Sequence, residues 1–214
     1  MYTPSPVEPV VRSPARKLVL AVAVVWFLLA LLGLWALTQY AHTPGADPTS
    51  PADWPADSKI VREPHGNTLV MFAHPKCPCT RASLSELERI VAQSNGTIKP
   101  RVVFFKPGAA EQDWEHTNLW NKASAIPGAV VSSDLDGEEA RRFHAFTSGQ
   151  TLMYDAAGKR LFSGGITAAR GHEGDSAGHD ALVSLLTEGS AECQTTPVFG
   201  CPIVTDSISQ GKRP

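Results

Sequence analysis

The apolar positions of this chain follow two periods, and the change from one to the other marks its elements. Leu69, Val70, Met71 and Phe72 form an unbroken apolar run, the pattern of a strand buried on both faces. Further on, Leu84, Leu87, Ile90 and Val91 recur at spacings of three and four, which puts them on one face of a helix. Asn95-Gly96 is expected to close that helix, Gly taking a left-handed cap without a Cβ penalty. Residues 101–106, RVVFFK, read as a second strand stopped by Pro107-Gly108. Residues 109–123 read as a helix, 129–131 as a short third strand, and 138–146 as a helix with Ala140, Phe143 and Phe146 on one face. Residues 151–154 and 160–163 form a hairpin about Asp155–Gly158, and 176–186 is the last helix, burying Leu182, Val183, Leu185 and Leu186. The order is β-α-β-α-β-α-β-β-α, an α/β chain.

Ahead of these elements the pattern is different. Residues 18–37, LVLAVAVVWFLLALLGLWAL, carry no charge and are about as long as a helix needs to cross a bilayer. Arg12, Arg16 and Lys17 precede them, and no Lys or Arg follows until Lys59. The positive-inside rule therefore assigns residues 1–17 to the cytoplasm and the rest to the outside. The apolar stretch exceeds the 7–15 residues of a signal peptide core, and no small-x-small cleavage site follows promptly, so an uncleaved anchor is expected. Residues 38–64 are rich in Pro, Ala, Asp, Ser and Thr without an apolar period, the composition of a semi-extended tether, with Ile60-Val61 a candidate edge strand. The expected organisation is a cytoplasmic N-terminus (1–17), a membrane span (18–37), a linker (38–64), one folded domain (65–190) and a C-terminal tail (191–214).

A formal net charge of −2 gives no sign of a nucleic-acid partner. The four cysteines fall into two close pairs, Cys77/Cys79 and Cys193/Cys201, which suits an oxidising compartment. Cys77-Pro78-Cys79 lies at the first strand-to-helix turn, where free amides and the helix dipole favour a thiolate. A disulfide across a single residue is tight, and strain raises its reduction potential. Cys77, one step outside the helix, is expected to be the exposed attacking sulfur and Cys79 the resolving one. His74 and Lys76 are placed to stabilise the thiolate or move its proton. One alternative is a structural brace joining one of these cysteines to Cys201. Another is metal: His74, Cys77 and Cys79 form a soft donor set suited to Cu(I) or, with a fourth ligand, Zn(II). His144, His172 and His179 are the candidates for a distant ligand.

Cys193 and Cys201 would close a loop of about nine residues, worth about 2.6 kcal/mol in the chain-entropy model, and are the candidate structural disulfide. The alternative puts residues 197–201 beside the turn, with Cys201 as a resolving thiol. Residues 170–175 read as a solvated loop that would otherwise line the active face. Asp113, Glu115 and His116 read as a solvated helix face, and Trp114 and Trp120 as core.

The element order with a cysteine pair at the first β-to-α turn resembles the thioredoxin-like superfamily over roughly residues 60–187. The stretch VVSSDLDGEEARRFHAFTSGQTLMYDAAGKRLFSGG is similar to the second half of extracytoplasmic thiol proteins of that type. HPKCPCT, TSGQTLMYDAAG, SGGITAARGH and PVFGC also resemble a group of membrane-anchored bacterial proteins labelled RedB. The resemblance implies a three-layer α/β/α sandwich with a mixed sheet behind the single N-terminal transmembrane helix. It also implies thiol–disulfide exchange with extracytoplasmic protein thiols or disulfides, no cofactor, and a site on the periplasmic side of the inner membrane. Thioredoxins carry two residues between their cysteines where this chain has only Pro78. Their cis-proline matches Gln150 here, whose preceding bond is expected to be trans because a non-proline cis bond costs about 3–4 kcal/mol. Copper chaperones of the Sco type share the fold and use two cysteines at this loop with a distant histidine, which implies copper in the alternative reading.

Overall fold

In the computed structural model, the structure describes residues 14–46, 49–94 and 98–204. The chain divides into two compact units, Met1–Tyr40 and Ala41–Pro214. The first is occupied by helix α1, Pro14–Ala41, whose 28 residues rise about 42 Å at 1.5 Å each. From Ala15 to Ala41 it is long and apolar enough to cross a membrane. It overruns the expected span of residues 18–37 at both ends, because the flanking residues continue the same hydrogen-bonded ladder.

The second unit is an α/β sandwich on a six-stranded mixed sheet. Its elements are β1 (Thr68–Ala73), α2 (Pro78–Gln93), β2 (Arg101–Lys106), α3 (Asn118–Ser124), β3 (Val130–Leu135), α4 (Glu138–Arg142), β4 (Gln150–Tyr154), β5 (Arg160–Gly164), α5 (Ala177–Thr187) and β6 (Thr195–Thr196). The spatial order is β3-β2-β1-β4-β5-β6. Strands β1, β2 and β3 are parallel, β4 is antiparallel to both β1 and β5, and β6 runs parallel to β5. That is the thioredoxin-like arrangement, with a sixth strand added at one edge.

Strand β1 is central and wholly buried, and its side chains alternate between two cores. Leu69, Met71 and Ala73 face a core built with Leu84, Leu87 and Ile90 of α2, Leu119 of α3 and Leu182 of α5. Val70 and Phe72 face the opposite core, with Ala140 of α4, Phe143, Leu152, Tyr154, Ile203 and Val204.

Several local expectations are revised. Residues 109–117 are irregular, with Asp113 at φ 64°, and α3 starts only where the Thr117 side chain accepts from Leu119 N–H. Trp114 and Glu115 therefore sit on a loop. Glu115 is buried, 3.0 Å from Lys106 Nζ and accepting from Ser133, instead of facing water. Helix α4 ends at Phe143, because His144 turns left-handed at φ 52°. The expected cap at Asn95-Gly96 lies outside the described residues.

The largest revision concerns the stretch expected as a tether. Residues 49–63 are packed on the second core. The Trp54 ring meets Phe143 and Tyr154 edge-on at 4.9 and 5.2 Å. Trp54 N–H donates to Gly158 O, Arg160 N–H to Ala52 O, and Tyr154 O–H to Pro51 O. Buried Ser50 accepts from Gln150 Nε2. Ile60 contributes its side chain to the same core without forming the expected edge strand. Four such hydrogen bonds and one aromatic anchor give residues 49–63 fixed positions despite having no apolar period.

Candidate active site: a three-thiol cluster

The site lies where β1 ends and α2 begins. Pro78 occupies the first helical turn, where its missing N–H costs nothing and its fixed φ suits the helix. Cys77 becomes the N-cap residue and Cys79 the second residue of the helix. The turn is fastened by Cys77 N–H donating to His74 O at 3.1 Å and Thr80 N–H donating to Cys77 O at 3.1 Å. Buried Ser148, just ahead of β4, ties in a second segment. Its hydroxyl accepts from His74 N–H at 2.9 Å and lies 2.7 Å from Thr80 Oγ1.

A third segment arrives from the C-terminal side. Beyond β6 the chain runs back across the sheet end and lies antiparallel to residues 146–148. Ser148 N–H donates to Cys201 O and Ile203 N–H to Phe146 O, both at 2.8 Å, and Thr147 bridges Pro202. The approach is so close at Gly200 that a Cβ there would collide with the Ser148 carbonyl oxygen. This path sets the Cys201 thiol 2.7 Å from the Cys77 sulfur.

The pairing of cysteines therefore differs from the expected one. The Cys193 thiol donates to Thr195 O at 2.9 Å, whereas Cys201 lies against Cys77. All four are free thiols in this structure. The intervening β6 pairs with β5 and carries the two ends of the expected nine-residue loop to different places. Cys77 is also not the exposed sulfur: at 1% exposure it is covered by the Cys201 segment, and Cys79 is the more accessible of the two.

Burial pushes the Cys77 thiol up, but the Cys201 S–H donating to it and the backbone N–H groups of Thr80 and Cys79 outweigh burial and hold it below its ordinary value. Those amides favour the thiolate although no full side-chain cap is closed. Burial raises Cys79, and the neighbouring Cys77 adds to the rise. Cys201 is pushed up to about 12 by burial and by the hydrogen bond and charge of the Cys77 sulfur, so it keeps its proton. The cluster thus keeps its first negative charge on Cys77, with Cys201 as donor.

The His74 ring is engaged by aromatic neighbours. It stacks on Phe105 at 5.9 Å and meets Trp114 edge-on at 5.8 Å, and its Nδ1 accepts from Lys76 N–H. Burial and the Lys76 charge lower its pKa, so it is held neutral. Lys76 Nζ lies 4.2 Å above the Trp114 ring, a cation–π contact. Among the described residues no three His, Cys, Asp or Glu side chains are gathered to hold a metal ion. His144 pairs with Thr49 O, His179 lies 2.9 Å from Glu86, and His172 is exposed. Every described peptide bond is trans, that before Gln150 included.

Ser148 carries no sequence signal and Arg170 was expected on a solvated loop, whereas the alternative that puts residues 197–201 beside the turn matches the position of Cys201. The Arg170 guanidinium donates to Gly200 O and, at 3.2 Å, to Thr43 O, and its charge favours the Cys79 thiolate. The only sequence signal was the apolar PVFG ahead of Cys201, which a mobile tail would not need.

Neither a scan against protein-family models nor a search of curated proteins gives a match. Among solved structures the chain is similar to an uncharacterized conserved protein from Geobacillus kaustophilus. The identity is 20% and the TM-score 0.53, over 78% of this chain and 94% of that one. It is likewise similar to a hypothetical protein from Sinorhizobium meliloti 1021 at 17% identity and TM-score 0.52, over 77% of this chain and 96% of that one. A more partial likeness, TM-score 0.42 at 19% identity over 58% and 86%, is to the exposed lipoprotein thioredoxin Etrx1 of Streptococcus pneumoniae strain TIGR4. At these identities the likeness is one of fold.

Proposed function

We propose that the protein is a membrane-anchored, extracytoplasmic thiol–disulfide oxidoreductase of the RedB-like kind, with Cys77 as its attacking sulfur. In this reading helix α1 is the anchor and the domain faces the periplasm from the inner membrane, which the basic residues ahead of the helix support. Partners are protein thiols or disulfides, and the exchange needs no cofactor. The observation that carries the reading is the Cys201 thiol 2.7 Å from a Cys77 sulfur at a helix N-cap. A sulfur held as thiolate attacks a partner disulfide, forming a mixed disulfide and releasing one partner thiolate. A second cysteine of the cluster then attacks Cys77, forms an internal disulfide and frees the reduced partner. The reverse sequence oxidises a partner dithiol.

The test removes both candidate resolving thiols. Full-length chain carrying Cys79→Ser and Cys201→Ser, expressed in its host and quenched with acid, should accumulate mixed disulfides through Cys77 on a non-reducing gel. Adding Cys77→Ser should abolish them. An empty gel together with tight one-to-one Cu(I) binding by the wild-type chain would contradict exchange and favour a metal carrier.

A further inference from the structure

Arg170 is tied to the C-terminal segment that carries Cys201. Its donation to Gly200 O holds the residue next to Cys201, and its positive charge favours the Cys79 thiolate. That charge acts on both Cys79 and Cys201. The Cys77 sulfur lies 2.7 Å from that of Cys201, and Cys79 follows it two residues on, in the first turn of α2, where the Cys77 charge acts on it. The cluster therefore offers Cys77 two internal partners and supplies one fixed positive charge facing both of them.

We propose that Cys77, Cys79 and Cys201 form a relay in which the disulfide passes from Cys77–Cys201 to Cys77–Cys79, with Arg170 as the catalytic counter-ion of the thiolate on either side of the transfer. This rests on the thiol–disulfide reading above and deepens it. In the step, the Cys79 thiolate attacks the Cys77 sulfur of the Cys77–Cys201 disulfide. The Cys77–Cys79 bond forms, the Cys77–Cys201 bond breaks, and the electron pair leaves on Cys201 as a thiolate. One disulfide and one thiolate stand on each side, so no outside oxidant or reductant is consumed.

Electrostatics sets the order. In the reduced cluster burial, and after it the neighbouring Cys77 charge, keep Cys79 protonated. Once Cys77 is in a disulfide that charge is gone, and Arg170 remains to favour the Cys79 thiolate. As the charge moves to Cys201 it stays within reach of the same guanidinium, so the transfer separates no ion pair. The exchange also releases the Cys201 segment from its covalent tie to the turn, opening the buried Cys77 side of the cluster to a partner.

The test uses the full-length chain in detergent with glutathione disulfide as oxidant. The Cys77 thiolate takes up one glutathione and releases the other, and Cys201 then displaces the bound one. Samples are quenched with acid at intervals, free thiols are alkylated, and the two bridges are quantified by mass spectrometry across a range of pH. The Cys77–Cys201 bridge should appear first, followed by a smaller Cys77–Cys79 population with free Cys201, held down by the strain of the short ring. Arg170→Gln should slow the second phase about tenfold and move its pH midpoint upward. Arg170→Lys, which keeps the charge and loses the fork, should restore the midpoint. Thermal unfolding of each variant separates this from a structural role, since a lowered melting temperature with an unmoved midpoint overturns the proposal. So does a Cys77–Cys201 bridge that never converts in wild type. If Cys77 forms no bridge at all, the oxidoreductase reading itself fails.

Discussion

The two faces of the sheet are covered by different means. On one, α2, α3 and α5 pack Leu84, Leu87, Ile90, Leu119 and Leu182 against β1 in the 3.6-residue period of amphipathic helices. On the other, the five-residue α4 shares the work with two irregular stretches, 49–63 and 198–204. The helical face is fixed by many equivalent contacts. The irregular face is fixed by single residues: Trp54 in an aromatic cluster, Ser50 in a buried hydrogen-bond pair, Ile203 and Val204 at the far end. Chemistry follows the same division. The helical face supplies the N-terminus that favours a thiolate, and the irregular cover delivers the Cys201 thiol and the Gly200 carbonyl that Arg170 holds. An irregular cover can be released without unfolding the helices, which suits a cysteine whose bond must form and break.

If the faces differ in this way, single truncations should differ in kind. Leu87→Ala, at a fully buried helical position, should cost about 3 kcal/mol by denaturant unfolding. Trp54→Ala should cost about 2 kcal/mol, because the ring is half-buried yet anchors two aromatic partners. A loss below about 0.5 kcal/mol for Trp54→Ala would return residues 49–63 to the status of a free tether.

Gly200→Ala addresses the C-terminal stretch alone. The added Cβ forces the strand off Ser148, so the yield of the Cys77–Cys201 bridge under glutathione disulfide should fall about tenfold, with a stability loss of about 1 kcal/mol. An unchanged yield would mean that the segment reaches Cys77 by another path.

Cys201→Ala gives a smaller, pH-dependent effect. Cys77 is a group whose folded pKa is depressed, so its thiolate contributes stability above the ordinary thiol pKa that is lost as pH falls through the lowered one. Removing the Cys201 donor should move the midpoint of Cys77 alkylation up toward the ordinary value and slow alkylation at neutral pH several-fold. A midpoint that stays put would assign the depression to the helix amides alone. His74→Ala should be the mildest change, shifting Cys77 alkylation less than about twofold, because its ring faces Phe105 and Trp114. A large shift would restore the role that sequence spacing suggested.

Legibility in the sequence followed the same line. The strand at 69–72, the helix face from Leu84 to Val91 and the cysteine turn between them were readable because period and cap chemistry are local. The docked stretch 49–63 was not, since Pro-rich composition speaks of backbone stiffness and says nothing of where Trp54 lands. Cys193 and Cys201 looked paired because they are near in sequence. Only the parallel pairing of β6 with β5, a long-range register, sends Cys201 to a turn 124 residues away. Arg170 was hidden for the same reason: its loop has no period, and its partners lie in three separate segments.

The central claim is that the irregular cover presents Cys201 to Cys77. The most direct measurement is disulfide mapping by mass spectrometry on the full-length Cys79→Ser chain, where the bridge cannot move on, after oxidation with glutathione disulfide and an acid quench. The account predicts a Cys77–Cys201 cross-link with Cys193 recovered as an alkylated thiol. A Cys193–Cys201 cross-link with Cys77 recovered free would contradict it.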